Sequence, residues 1–261
     1  MIKPSWVILT YNRENIVRKA IDHNIENAGY PFHEIIWVDN GSTDGVRYYM
    51  QNVVAPNISV LHRQNLGVAK GYNRGMLLAT GTHIVITGCD RLMPKNWLKR
   101  WAQNLEDYKN IGVISCYTKS IQDVFERCRE SKPWKLSAQK MSKEFIASFT
   151  HIRAMPLEAR IFSRELLLKA GFMREDFGLY GHEDLEWADR VERVTKEFGL
   201  MNYILPDMIA EHLGTEGINA WDGKDSEDYH AFKQKECKEP FKEELLQRLR
   251  EENNPYYNPY T

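Results

Sequence analysis

Asp39, Asp90, the Glu183–Asp184 pair and His212 carry the residue types that chemistry at a phosphate or a hydroxyl requires. Asp90 closes His83–Ile84–Val85–Ile86–Thr87–Gly88–Cys89–Asp90, a β-branched run suited to a buried strand and then two small residues. A lone acid just past a buried strand stands where open α/β sheets bind ligands, outside the carboxyl ends of their strands. A carboxylate is a hard ligand suited to Mg2+ or Mn2+, and an imidazole such as His212 tilts the choice towards Mn2+. Such sites complete their shell with phosphate oxygens and water. His212 follows a strand-like run in Ile209–Ala210–Glu211–His212–Leu213–Gly214, where a single histidine also serves as a structural residue. Glu183 and Asp184 open a helix, where acids complement the helix dipole. Placed in a cleft near Asp90, one of them can instead take the proton of a hydroxyl nucleophile. Asp39 begins Asp39–Asn40–Gly41–Ser42–Thr43–Asp44–Gly45, a run of turn formers, so taken alone it reads as a turn residue. At a sheet edge it could also accept a hydrogen bond from a base or a ribose.

The elements that must position these groups alternate. Trp6–Val7–Ile8–Leu9 reads as the first buried strand, and Asn12 as the N-cap of the helix after it. That helix has Ile16, Val17, Ala20, Ile21 and Ile25 on one side and stops at Gly29. Ile35–Val38 and Ile58–Leu61 are further strands. Arg63–Gly67 is a loop, and Val68–Ala79 a helix with Val68, Ala69, Tyr72, Met76 and Ala79 on its apolar side. His83–Thr87 then returns as a strand. This order predicts an α/β fold of nucleotide-binding type with a largely parallel sheet. Trp97–Leu105 reads as a helix, Ile111–Ser115 as a strand, and Tyr117–Ala154 as a variable or acceptor-facing segment. Arg160–Ser163 is a strand, Glu165–Ala170 a helix stopped by Gly171, Phe172–Gly181 a loop, and Asn202–Leu205 a late strand. Residues 224–251 suit a charged terminal helix, and Asn253–Thr261 is a Tyr/Pro-rich tail.

The totals exclude several classes. The 261 residues carry 35 basic and 36 acidic side chains, a net charge of −1, so no strong field favours nucleic acid or an anionic membrane. Lys70, Arg74, Arg91, Lys95 and Lys99 gather along the chain, either to serve a phosphate-bearing ligand or as solvated helix faces. Cys89, Cys116, Cys128 and Cys237 show no metal or disulfide spacing, which suits a reducing compartment. Met1–Pro4 leads into a strand without a signal-peptide core, and no apolar run nears the roughly 20 residues a spanning helix needs. The chain reads as cytoplasmic. A Walker loop, a strand-following GxGxxG and a GxSxG elbow are all missing, which removes support for P-loop ATPase, hydride-transfer and serine-hydrolase chemistry.

In this order the motifs resemble the inverting glycosyltransferases of family 2, which have the GT-A fold. The likeness covers roughly residues 5–214. Val7–Arg13 is similar to the family's first strand and donor-binding loop, with Thr10, Tyr11, Asn12 and Arg13 facing the donor. Asp39–Asp44 resembles its base-recognition segment. Asn65–Gly75 looks like the donor-contacting loop and helix, with Asn65, Gly67, Lys70 and Asn73 as contacts. Val85–Asp90, followed by Pro94 and Trp97–Leu98, matches the strand carrying the DxD motif, so Cys89 and Asp90 join the donor site. Gly181–Trp187 resembles the acceptor-side ED motif that supplies the base, and His212 falls where the family places a late metal-binding histidine. The chain departs from the pattern at Gly88, where the first acid of DxD is lost; Asp90 keeps the usual metal contact.

The resemblance implies a GT-A fold, with a mixed, mostly parallel sheet flanked by helices and a C-terminal helical extension. Residues 1–216 form the glycosyltransferase domain, 1–115 its nucleotide-sugar-binding half and 116–216 its acceptor-side half; 217–261 are the extension and tail. It also implies a metal-dependent transfer with inversion from a nucleotide sugar, a UDP-sugar first, to the hydroxyl of a glycan or other acceptor. Asp90 and His212 would hold Mn2+ or Mg2+, with Lys70 or Arg91 assisting. Asp184 is the base, and Glu183 its alternate or an acceptor ligand. The other reading is a silent nucleotide-sugar-binding or partner-binding module, which Gly88 motivates. Nucleotidyltransfer expects a glycine-rich loop after the first strand, and Thr10–Arg13 has no glycine. Among Trp97, Trp101, Trp134, Trp187 and Trp221 a sugar-stacking platform competes with plain core packing. The sequence leaves the sugar, the acceptor and the oligomeric state open.

Overall fold

A computed structural model describes residues 1–118, 137–141, 144–148, 159–179 and 183–213. The strands are β1 (Pro4–Thr10), β2 (Glu34–Asp39), β3 (Ile58–Leu61), β4 (His83–Thr87), β5 (Arg91–Leu92), β6 (Ile111–Thr118), β7 (Ser137–Met141), β8 (Glu144–Ser148), β9 (Ala159–Ser163) and β10 (Met201–His212). The helices are α1 (Glu14–Glu26), α2 (Val46–Tyr49, running on as a wider turn over Met50–Val54), α3 (Val68–Leu78), α4 (Trp97–Asp107), α5 (Arg164–Ala170) and α6 (Glu183–Glu197). In the sheet the strands lie in the order β3-β2-β1-β4-β9-β6-β10-β8-β7, with β5 paired to the end of β10. From β3 to β10 only β9 opposes its neighbours, so that part of the sheet is mostly parallel.

Every residue of β1 is buried, as expected for a strand covered on both faces. Its side chains alternate between two layers. Trp6 and Ile8 join a core with Val17 and Ile21 of α1, Tyr49, Trp97 and Trp101. Val7 and Leu9 face the other way, onto Ala69, Tyr72 and Met76 of α3 and, further along the sheet, Leu166 of α5 and Trp187 of α6. α3 lies close against the sheet because Gly75 presents no side chain there; a Cβ at that position would strike Val7. Trp97, Trp101 and Trp187 are all fully buried, so these three are core rather than a sugar platform; Trp134 and Trp221 lie outside the described residues.

Four expectations need correcting. Asn12 does not cap α1. It has a left-handed backbone with φ 54°, Arg13 occupies the cap position with φ 65°, and Glu14 N–H donates instead to Asp44 Oδ2 at 2.9 Å. Ile25 lies off the buried side of α1, and Asn24 takes its place there. The late strand is longer than its hydrophobic run, because β10 passes an irregularity between Leu205 and Ile209 and continues to His212. The basic residues do not form one group: Lys70 and Arg74 lie on α3, which packs on one face of the sheet, Lys99 lies on α4, which packs on the other, and Arg91 stands beside Asp90. The expected extension, 217–261, lies outside the described residues.

Glu34 illustrates how the far edge of the sheet is closed. It is buried and accepts from Ser5 Oγ (2.5 Å), Thr80 N–H (2.7 Å) and Thr80 Oγ (3.0 Å), with Gly81 N–H at 3.3 Å. Burial pushes its carboxyl up, but these hydrogen bonds together outweigh it and hold the group below the ordinary glutamate value. A depressed pKa contributes stability above the unfolded value, and that contribution fades as pH falls through the folded one. Glu34→Gln is therefore expected to cost about 1–3 kcal/mol at neutral pH. The gap from wild type should close as denaturant melts are taken from pH 6 towards pH 3, and a gap constant with pH would contradict the assignment.

Candidate active site

The carboxyl edge of the sheet is assembled by loops that bind one another. Asp39, fully buried at the end of β2, accepts from Ser42 N–H (3.0 Å), Arg47 Nε (2.7 Å) and the Thr10 hydroxyl (3.3 Å). The turn it organises grips the loop after β1. Asn12 N–H donates to Ser42 Oγ at 2.8 Å, and Thr43 N–H donates to Asn12 Oδ1 at 2.8 Å. These bonds hold Asn12 and Arg13, neither of them glycine, in consecutive left-handed conformations. Such backbones cost on the order of 1 kcal/mol or more each and persist only where the surroundings over-determine them. The result aims Arg13 across the edge.

Arg13 meets Asp90, which follows β4. Asp90 Oδ2 lies 3.4 Å from Arg13 Nη1 and 3.1 Å from His212 Nε2, while its Oδ1 lies 3.9 Å from Arg91 Nε. The approach of Asp90 to a residue 122 positions later has a definite cause. β5 pairs antiparallel with the end of β10, His212 opposite Arg91, and Leu213 N–H donates to the Asp90 carbonyl at 2.8 Å. Asn24 fixes β5 from the other side. Its carboxamide donates to the Arg91 carbonyl and accepts from Met93 N–H, both at 2.8 Å. Burial pushes the Asp90 carboxyl up, but the His212 hydrogen bond and charge, with Arg91 and Arg13, hold it below the ordinary aspartate value. Beside it, burial and the Asp90 charge push the Cys89 thiol up to about 12, against the pull of Arg13 and Arg91. Cys89 is thus a neutral thiol.

This pair fits a divalent cation as a partial site. A carboxylate oxygen and an imidazole nitrogen 3.1 Å apart would be the donor types to hold Mn2+ or Mg2+. Both side chains keep some exposure, 16% and 26%. Among the described residues no group of three or more His, Cys, Asp or Glu comes together, so these two side chains are a partial donor set.

The other side of the edge is built on α3. Gly67 precedes it with φ 95°, and a Cβ there would lie 2.5 Å from the Gly178 carbonyl oxygen. That closeness lets Val68 N–H reach the Leu179 carbonyl at 3.0 Å, while the Gly67 carbonyl accepts from Asn40 Nδ2 at 2.9 Å. The loop over residues 171–179 is held by Asn73, whose carboxamide donates to the Met173 carbonyl and accepts from Met173 N–H, and by the Arg74–Glu175 pair at 2.6 Å. Arg190 of α6 binds the Ala170 and Phe172 carbonyls while paired with Glu186, and Trp187 Nε1 donates to the Gly171 carbonyl. These bonds fix the first turn of α6. Since β10 follows α6 and runs parallel to β6, that first turn faces the same edge as Asp39 and Asp90. Glu183 is buried there and Asp184 is half-buried.

Of the expected donor residues, the structure brings Arg13, Asp90, Cys89 and His212 together and sets Thr10, Asn12 and Asp39 beneath them. Tyr11 is exposed at the lip, and Lys70 is half-buried in the first turn of α3. Thr10 is 1% exposed, donating to Asp39 and accepting from Trp37 Nε1. Asn73 is fully buried as a strut of the 171–179 loop, and Asn65 Oδ1 caps Gly67 N–H. Arg47, Asp44, Asn24 and Arg190 were missed as supports. Asn24 left a signal, a lone amide at helical spacing from Val17, Ala20 and Ile21.

Comparison with known proteins gives this edge a family. The glycosyl transferase family 2 model matches residues 5–170, and the chain belongs to that family. It is 24% identical over 211 residues to the uncharacterized glycosyltransferase YfnE of Bacillus subtilis (strain 168), covering 78% of this chain and 50% of YfnE. Over 119 residues it is 29% identical to the uncharacterized glycosyltransferase YibD of Escherichia coli (strain K12), covering 44% of this chain and 33% of YibD. The chain thus spans half or less of the length of these relatives. Among solved structures, the mannosyltransferase PcManGT from Pyrobaculum calidifontis, in complex with GDP-Man and Mn2+, superposes with TM-score 0.64 at 23% identity, over 99% of this chain and 72% of that one. S. aureus TarS 1-349 in complex with UDP-GlcNAc gives TM-score 0.57 at 18% identity, over 82% and 60%. The fold is that of the GT-A glycosyltransferases.

Asn24→Ala removes both bonds that fix β5 and leaves a buried carbonyl and N–H unmet, at a cost of about 2–4 kcal/mol. Because β5 sets the approach of Asp90 to His212, Mn2+ affinity should fall with stability, as read by denaturant melts and by titration with Mn2+. Full affinity in a destabilised Asn24→Ala protein would show that β5 does not position the pair.

Proposed function

We propose that this domain moves a sugar from a nucleoside diphosphate sugar to the hydroxyl of a glycan or other acceptor, with inversion and with Mn2+ or Mg2+ at Asp90 and His212. The observation that supports it best is the meeting of Asp90 and His212 at 3.1 Å on the sheet edge that also carries the first turn of α6. Family membership supports the reaction class. PcManGT and GalNAc-T7 were each solved with Mn2+, one with GDP-Man and the other with UDP and GalNAc, which supports a divalent cation and leaves both bases in play. A UDP-sugar is the first donor in this reading.

When bound, the cation supplies positive charge against the charge that grows on the departing diphosphate. Asp90 is held ionised by its cationic neighbours and so is ready to serve as a ligand at neutral pH. In this reading Arg13 and Arg91, which stand beside Asp90, and Lys70 of α3 add positive charge against the departing diphosphate. Tyr11, exposed above β1, offers a face to the nucleotide base. Asp39 acts through the turn and Arg47 that it holds.

At the opposite side of the cleft Asp184 takes the acceptor proton as the hydroxyl oxygen attacks the anomeric carbon. Direct attack opposite the leaving diphosphate inverts that centre. Glu183 is the more deeply buried of the two acids and supports the turn or the acceptor. Among the described residues no helix is long and apolar enough to cross a membrane.

Asp184→Asn should lower release of free nucleoside diphosphate by on the order of 10²–10⁴-fold, with donor binding retained. The assay is a panel of UDP-, GDP- and dTDP-sugars with Mn2+ and candidate acceptors. A variant as fast as wild type ends the base assignment. Donor binding without release by either protein supports a silent binding module instead.

A further inference from the structure

Asp90 is already engaged before any ligand arrives. Its Oδ2 faces both His212 Nε2, at 3.1 Å, and Arg13 Nη1, at 3.4 Å. These neighbours differ in kind. An imidazole nitrogen can join a carboxylate oxygen around a metal ion, because it has a lone pair to give. A guanidinium has none, and its charge repels a second cation on the same oxygen. Arg13 and a divalent cation therefore compete for Oδ2. Arg91 does not compete in the same way, since it is buried and lies on the other oxygen, Oδ1, at 3.9 Å.

Arg13 is also built to leave. Its side chain is 37% exposed and reaches in from a different loop, whereas His212 is fixed by the β5–β10 ladder. Its backbone is held left-handed, where asparagine or glycine sits with less strain, so the fold maintains an arginine at a costly place. A guanidinium displaced from a carboxylate finds an equivalent partner in a phosphate, which it can bind through two parallel hydrogen bonds.

Building on the metal site proposed above, we propose that Arg13 is an exchangeable counter-ion. It neutralises Asp90 in the donor-free protein, yields Oδ2 to the divalent cation when a nucleoside diphosphate arrives, and then settles on the diphosphate. The exchange couples the two ligands: each removes the obstacle to the other, and by linkage the effect is reciprocal. It also gives the loss of an acid at Gly88 a consequence. With one carboxylate already matched by Arg13, the cation alone binds weakly and a free diphosphate alone meets an arginine that is already paired. The cation and the diphosphate are admitted together. Arg13 is thus a diphosphate-binding residue whose effect on the metal has the opposite sign to that of a structural prop.

The test is Mn2+ affinity without nucleotide, followed by UDP and GDP affinity in Mn2+. The proteins are wild type, Arg13→Asn, Arg13→Lys and Asp90→Asn. Asparagine tolerates the left-handed backbone and carries no charge; lysine keeps the charge. Arg13→Asn should bind Mn2+ alone about tenfold more tightly than wild type and bind the nucleotide about tenfold more weakly. Arg13→Lys should stay near wild type in both. If Arg13→Asn binds Mn2+ no more tightly, or more weakly through damage to the fold, while Asp90→Asn abolishes binding, the counter-ion role is overturned and the metal site stands. If Asp90→Asn binds Mn2+ as wild type does, or if no variant binds it, the metal site falls and the exchange with it.

Discussion

The carboxyl edge of this domain hangs from one buried carboxylate. Asp39 is fully withdrawn from water at the end of β2, and an ionised group there is tolerable only if its oxygens are met. Ser42 N–H, Thr10 Oγ and Arg47 Nε meet them. That requirement dictates the turn, and the turn dictates the rest. Ser42 and Thr43 grip Asn12, Asp44 takes the first free N–H of α1, and Arg13 is left strained and aimed at Asp90. A fully buried carboxylate thus decides where Arg13 stands.

A second set of constraints brings the distant parts of the chain to that arginine. The two-residue strand β5 is clamped between Asn24 on α1 and the end of β10, and this carries His212 to Asp90. On the other side, Asn40 holds Gly67, Val68 holds Leu179, and the 171–179 loop hands the constraint to α6 through Trp187 and Arg190. The acid of the α6 first turn and the acid after β4 belong to one connected edge. An acid at each end of one edge is what the proposed displacement of a diphosphate by an alcohol calls for.

Much of this was legible in the residues. β3 and β4 fall where their β-branched runs lie, α3 starts at Val68 as its periodicity predicts, and Gly171 stops α5. The order of acid-bearing motifs along the chain points to the family by itself. What could not be read is what depends on partners far away in sequence. Asn12 has the composition of a cap, but its carboxamide faces Thr43 and the cap comes from Asp44, some thirty residues on. Asn73 looks like a donor contact by motif position, yet it is buried against Met173, one hundred residues later. β5 is too short to leave a periodic signal, so the pairing of His212 with Asp90 follows from the family resemblance and not from the periodicity of the residues between them.

The account stands on a cation held between Asp90 and His212 with a diphosphate completing its shell. Anomalous diffraction at the manganese edge, from crystals grown with Mn2+ and UDP or GDP, tests this directly. The account predicts a single strong peak bonded to an Asp90 oxygen, to His212 Nε2 and to phosphate oxygens, with the Asp184 carboxylate facing the same cleft. A peak bound elsewhere, or a diphosphate seated with no metal at Asp90, would contradict it.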